Sequence, residues 1–209
     1  MQRVYGGAIL LDKMKSAALR VLAACYSGKS GRIRHGEPGG KILIKPVEAF
    51  TAGGTREFDT YLKQASKRYF IKDDRGIGYL FLRDIIDGAA ALGETVEISY
   101  DAFSGKRERS VYLSSASVAF VPLDEEKYIA NNLDKLINMD RFINLEILKQ
   151  YKSGIKFAKK YRDLLLNGAA EEYDINLKLH SRLEALYGAA MDFKRKEDYT
   201  KKLLIKIFN

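Results

Sequence analysis

At 209 residues, with 46% hydrophobic and 30% charged side chains and three prolines, the chain is long enough for one full-sized domain, and its composition excludes disorder, collagen-like repeats and a mucin-like stalk. The single Cys25 excludes a disulfide framework and a multi-cysteine zinc site, and with only His35 and His180 any metal centre would rest on carboxylates, so no metal is expected. The net charge of +9 is uneven: residues 1–47 hold nine Lys/Arg against two acids, residues 48–121 ten against eleven, and residues 122–209 seventeen against fourteen.

The basic N-terminal segment is where phosphate or nucleic acid would be drawn, although basic composition names no ligand and a solvated surface is the plainer reading. No apolar run approaches the ~20 residues of a spanning helix, and the stretch Ala8–Leu11 is too short for a signal-peptide core. A cytoplasmic protein without a membrane partner is expected.

Along the chain, Leu10, Leu11, Met14, Ala18, Val21, Leu22 and Cys25 recur at helical spacing and predict an amphipathic first helix, with Cys25 on its apolar stripe as a packing residue. Ser27 to Lys41 carries five glycines and Pro38 and reads as a loop. Within it Lys29, Arg32, Arg34 and Lys41 form a candidate anion-binding basic loop. Ile42-Leu43-Ile44 is a short strand. Phe58, Tyr61 and Leu62 suggest a short helix, Arg68–Lys72 a strand, Asp73–Gly78 a turn, Leu80–Leu92 a helix closed by Gly93, and Thr95–Tyr100 a second strand. Strand, turn, helix, strand at this spacing predicts a βαβ unit with a right-handed crossover. Val111–Leu113 and Val118–Val121 are further strand candidates. After Pro122 the pattern is helical, with one series from Leu145 to Leu165, a second from Ile175 to Phe193 and a third from Tyr199 to Ile207. A helical hairpin packed on itself or on the sheet is expected there, rather than a long coiled coil, because Gly154, Gly168 and Gly188 interrupt the runs. Three segments follow: a basic N-terminal helix and Gly-rich loop (1–47), an α/β core (48–122) and a helical region (123–209).

The turn between the strand and helix of the βαβ unit is where a helix N-terminus faces an anion. A P-loop fills it with G-x-x-x-x-G-K-[ST], in which the glycines let the backbone wrap phosphates, Lys neutralises them and Ser/Thr holds magnesium. Here the eight residues are Asp73, Asp74, Arg75, Gly76, Ile77, Gly78, Tyr79 and Leu80. Gly78 matches the second glycine. Asp73 stands for the first, Tyr79 for the lysine and Leu80 for the hydroxyl. Two negative charges sit where polyphosphate would lie, and unit charges ~4 Å apart repel by about 4 kcal/mol at a surface-like dielectric. Arg75, the nearby cation, is expected to pair with Asp73 or Asp74. The acid that ends a neighbouring strand to support magnesium is also missing: Val118–Val121 is followed by Pro122, and Asp124 falls out of register.

Phe50-Thr51-Ala52-Gly53-Gly54-Thr55, Tyr69-Phe70-Ile71-Lys72, the altered loop, Val96-Glu97-Ile98 and Ala190-Met191-Asp192-Phe193 resemble a bacterial family of P-loop ATPases of unassigned role. Its members join two P-loop half-domains, each with a helical insertion. The resemblance runs over residues 49–209 and implies that this chain holds one half, with a nucleotide-binding type of fold and without the catalytic motif.

Gly28-Lys29-Ser30 ends like a P-loop but follows a helix, and Gly36–Lys41 is one residue short, so neither fits. No Ser or Cys is placed beside either histidine for a hydrolytic triad. The fold expected is α/β, a P-loop-like parallel or mixed sheet with flanking helices and a C-terminal helical hairpin or insertion. The function expected is a catalytically inactive P-loop NTPase-like protein with a structural or regulatory role, associating with itself or with an active P-loop relative, with no catalytic residue and no cofactor. Two alternatives are a residual ATP/GTP-binding NTPase or kinase using magnesium with Lys29 or Arg75, and a basic nucleic-acid-binding module.

Overall fold

The computed structural model describes residues 6–27, 40–123 and 133–208. Helix α1 (Leu11–Tyr26) turns Met14, Ala18, Leu22 and Cys25 inward, as its spacing predicts. Strands β1 (Ile42–Ile44), β2 (Glu48–Thr51) and β3 (Gly54–Glu57) lead to the short helix α2 (Thr60–Gln64). Then come β4 (Lys67–Lys72), α3 (Gly78–Ala91), β5 (Val96–Tyr100), β6 (Glu108–Leu113), β7 (Val118–Pro122) and β8 (Lys135–Asn138). Helices α4 (Leu145–Gln150), α5 (Lys152–Ala190) and α6 (Phe193–Phe208) complete the described chain.

Six strands form one mixed sheet in the order β1-β5-β6-β7-β4-β8, while β2 and β3 make a separate hairpin. β4 runs parallel to both β7 and β8, β1 runs parallel to β5, and β6 alone is antiparallel to its neighbours. The sheet is thus mostly parallel, and β4 and β5 point the same way. They are not neighbours, however: the α3 crossover passes over β6 and β7, which fill the gap as an antiparallel meander.

Alternation along the strands makes a three-layer molecule. Tyr69, Ile71, Val118 and Phe120 face the larger core beneath α3, while Phe70, Ala119 and Val121 face the smaller one around Tyr61 and Val47. α3 buries Phe81, Leu82, Ile85, Ile86 and Ala89, and α1 packs on its outer side. The two helices approach closely at Gly88, where a Cβ would stand 2.6 Å from Leu22 Cδ2.

Besides the β2–β3 hairpin, where the sequence pattern names no strand, two features differ from the sequence reading. Residues 135–138, inside the segment expected to be helical, add β8 to the edge beside β4; Arg68 and Asp134 bind bidentately at its start, at 3.0 and 2.6 Å. Second, most of the two long apolar series, from Ile155 to Leu165 and from Ile175 to Ala190, lies on one helix of 39 residues, with Leu145 and Leu148 in α4 before it and Phe193 in α6 after it. α5 runs unbroken through Gly154 and Gly168, because one interior glycine costs only about 1 kcal/mol against a run of good helix formers. None of the described helices is long and apolar enough to cross a membrane.

Candidate functional site

The β4–α3 turn lies at the C-terminal end of a strand with a parallel neighbour on each side, between strand and helix as the sequence predicts. Its seat for an anion is occupied by the protein itself. Asp73 folds back so that Oδ1 accepts from the Ile77 N–H at 2.9 Å and Oδ2 from the Gly78 N–H at 2.7 Å. A carboxylate on free N–H groups at the positive end of a helix is stabilising by about 1 kcal/mol or somewhat more. The fit requires glycine at position 78: a Cβ there would stand 2.9 Å from Asp73 Oδ2. Gly76, at φ +67°, supplies the left-handed residue that bends the turn. The glycines that a phosphate-wrapping turn would use here let the backbone wrap Asp73.

The side chains at the other positions of the turn do not serve phosphate chemistry. Ile77 is buried, and Leu80, half-buried, packs against the core below α3. Tyr79 offers its ring to two guanidiniums, Arg83 at 5.6 Å and Arg107 at 5.2 Å. Arg75 reaches across to the end of β8, where its Nε donates to Asp140 Oδ1 at 2.6 Å. The sequence pattern predicts Asp73 or Asp74 as its partner. Asp73 is held by backbone N–H groups, and β8, which brings Asp140 within reach, is not apparent from the local pattern. Asp74 is exposed.

β7 is the strand beside β4 on which a magnesium-supporting acid would end. Ile71 pairs with Pro122, and the Leu123 N–H donates to Ile71 O at 2.9 Å, so Val121, Pro122 and Leu123 are the residues level with the turn. None carries an acid. Asp124 lies outside the described residues, as do Lys29, Arg32, Arg34 and His35. Lys41, the remaining member of the candidate basic loop, is exposed just before β1, and its carbonyl accepts from Val96 N–H at 2.8 Å. His180 is exposed on α5, 3.4 Å from Glu184. Cys25 is buried, and its Sγ donates to Val21 O at 3.2 Å. Among the described residues no group of three or more His, Cys, Asp or Glu could hold a metal ion.

Above the turn lies a cleft of about 550 Å³, walled by the turn, the β5–β6 loop, Pro122 and the first half of α5. That volume is within the range of small-molecule sites. Beside the cleft, Phe50 on β2 stands edge-on to Phe103 of the β5–β6 loop at 5.7 Å and to Tyr173 of α5 at 6.4 Å. Most charges in the cleft are answered internally. Arg109 lies 3.3 Å from Glu48 and donates to Glu57 at 2.8 Å, Glu108 meets Arg83, and Arg162 meets Asp163. Arg107 and Lys159 line the cleft with no carboxylate partner among the described residues.

The Glu48–Arg109–Glu57 cluster joins the β2–β3 hairpin to β6. Burial pushes the Glu48 carboxyl above its ordinary value of 4.5, against the opposing pull of the Ala102 N–H and Arg109. The folded state therefore holds this proton more tightly than the unfolded chain. The resulting penalty is full at neutral pH and disappears as pH falls through the raised value toward 4.5. We expect the melting temperature of the unmodified protein to rise relative to that of Glu48→Gln as pH is lowered from 7 to 4.5. Paired thermal melts measure this; a constant or narrowing difference contradicts it.

Comparison with protein-family models, with curated proteins and with solved structures finds no match for this chain.

Proposed function

We propose that this protein is a catalytically inactive P-loop NTPase-like protein that acts structurally or as a regulator by associating with other protein. The observation that carries the reading is the Asp73 carboxylate on the Ile77 and Gly78 N–H groups. A phosphate entering that seat would have to displace a bound carboxylate and then sit beside it. Tyr79 in place of lysine and Leu80 in place of a hydroxyl support the same conclusion, and so does the likeness of the loop and its flanking segments to bacterial P-loop ATPases. Association is supported by α5 and α6, which together leave more than a dozen large apolar side chains exposed and bury none.

Isothermal titration with magnesium-ATP tests the proposal. No saturable binding below about 1 mM is expected; micromolar binding with turnover refutes it. A second reading has one observation in its favour, the unanswered charges of Arg107 and Lys159 in the cleft. On that reading an anionic ligand, a nucleotide included, binds in the cleft without using the turn. Binding of ATP that is lost in an Arg107→Ala/Lys159→Ala double variant, with no hydrolysis in either protein, would favour it over the first.

A further inference from the structure

We infer that the outward face of α5 is the surface on which a second copy of this chain packs, antiparallel, about a two-fold axis passing near Leu165. The inference rests on the association role proposed above and names its partner.

α5 has two apolar stripes. One, including Ile155, Leu166 and Tyr173, faces the cleft and the β2–β3 hairpin. The other lies about 150° around the helix and faces away from the domain, by the 100° step per residue. Phe157, Tyr161, Leu165, Ile175, Leu179 and Leu186 form it, and they are 61, 47, 66, 50, 57 and 71% exposed. From Phe157 to Leu186 the stripe is about 44 Å long at 1.5 Å per residue. The apolar residues form two runs, Phe157 to Leu165 and Ile175 to Leu186 with Leu183 between, spaced by three or four positions within each run and separated by Gly168 and Glu172, whereas a helix serving only to cover its own domain needs one such face.

Gly154 and Gly168 fall on this outer stripe. Among the described residues, the helix's own backbone aside, nothing lies within 4 Å of a Cβ at either position, so the packing of the described residues requires neither glycine. Each costs the helix about 1 kcal/mol relative to alanine. A second helix crossing at Gly168 would use the space that the missing side chain leaves.

Charge selects both the partner and its direction. Residues 152–160 contain four lysines, and residues 171–174 contain Glu171, Glu172 and Asp174. Parallel pairing of two copies would set each block against itself. Antiparallel pairing about a point near residue 165 sets the basic block of one copy against the acidic block of the other, and an isologous two-fold contact makes every such pair twice. Lys160 and Glu171 are eleven residues apart, so they lie within about 20° of one another on the same flank of the stripe. Neither has an oppositely charged partner among the described residues. In this register Lys160 faces Glu171 of the second copy, Phe157 lies beside its Ile175, and Leu164 and Leu165 cross its Gly168.

Sedimentation equilibrium on the full-length protein at about 50 μM tests the interface, with circular dichroism confirming an unchanged fold. The unmodified chain should have twice the 23.6 kDa monomer mass. Leu165→Glu should give monomers. Lys160→Glu should weaken the dimer about tenfold, since two modest ion pairs become two like-charge pairs, and Lys160→Glu/Glu171→Lys should restore it to within about threefold. A monomeric unmodified chain overturns the inference. So does a dimer indifferent to Lys160→Glu, which would put the contact elsewhere, and so does protection of the stripe by α6 of the same chain, read as unchanged mass together with slow amide exchange over residues 175–190. None of these results bears on the titration with magnesium-ATP, which separately tests the inactive turn.

Discussion

Asp134→Ala should lower the stability of the protein by about 3 kcal/mol, and its melting temperature by about 6–12 °C. The Asp134 side chain has no exposure, and Arg68 beside it retains 21%. Removing the carboxylate leaves a largely buried guanidinium without its bidentate acceptor. Breaking such a pair typically costs 3–5 kcal/mol, and the remaining exposure of Arg68 places this case near the lower figure. The pair ties β4 to β8, so its loss also loosens the strand that carries Asp140 toward Arg75. A companion variant separates charge from packing: Arg68→Met/Asp134→Leu should recover most of the loss, because burial of an ion pair is itself costly. Chemical denaturation of the three proteins measures both effects, and a loss below about 1 kcal/mol for Asp134→Ala would contradict the argument.

Rebuilding the turn should produce a nucleotide site. In Asp73→Gly/Tyr79→Lys/Leu80→Ser the bound carboxylate is removed, an ammonium is supplied beside the helix N-terminus, and a hydroxyl replaces a core-facing leucine. Relief of a carboxylate–phosphate repulsion of up to about 4 kcal/mol would permit a far larger gain, but the turn must also reshape. Magnesium-ATP affinity should therefore tighten at least about tenfold over the unmodified protein. Hydrolysis should stay absent, because Val121, Pro122 and Leu123 at the end of β7 provide no acid to support magnesium. The single variant Asp73→Ala should lose about 1 kcal/mol of stability with the cap, and bind no better than the rebuilt turn. A rebuilt turn without measurable ATP binding would count against a nucleotide-binding ancestry for this fold.

The elements with strong periodicity are legible in the sequence alone. α1, β4, α3 and β5 lie where the apolar spacing puts them, within a residue or two at their ends. The β2–β3 hairpin and β8 are not. Each has four-residue strands, and four residues with mixed polarity contain too little period to separate a strand from a loop. The neighbours that make Lys135–Asn138 a strand belong to β4, more than sixty residues earlier. For α5 the local signal was misleading in the opposite sense: glycines that suggested breaks are carried within a continuous helix, since the cost of each is small beside the gain from the surrounding residues.

Composition at single positions was enough to establish what the turn lacks. Asp73, Tyr79 and Leu80 cannot perform the roles of glycine, lysine and serine wherever the chain places them, because charge, cation and hydroxyl are properties of the side chain itself. What those residues do instead was decided by tertiary structure. Whether Asp73 lies in solvent or on two backbone N–H groups depends on how the strand enters the helix. Whether Arg75 meets Asp74 or Asp140 depends on which strand lies beside β4. Chemical capability is local to a residue, whereas partnership requires two distant segments to be brought within a few ångströms, and the packing of the sheet determines that distance.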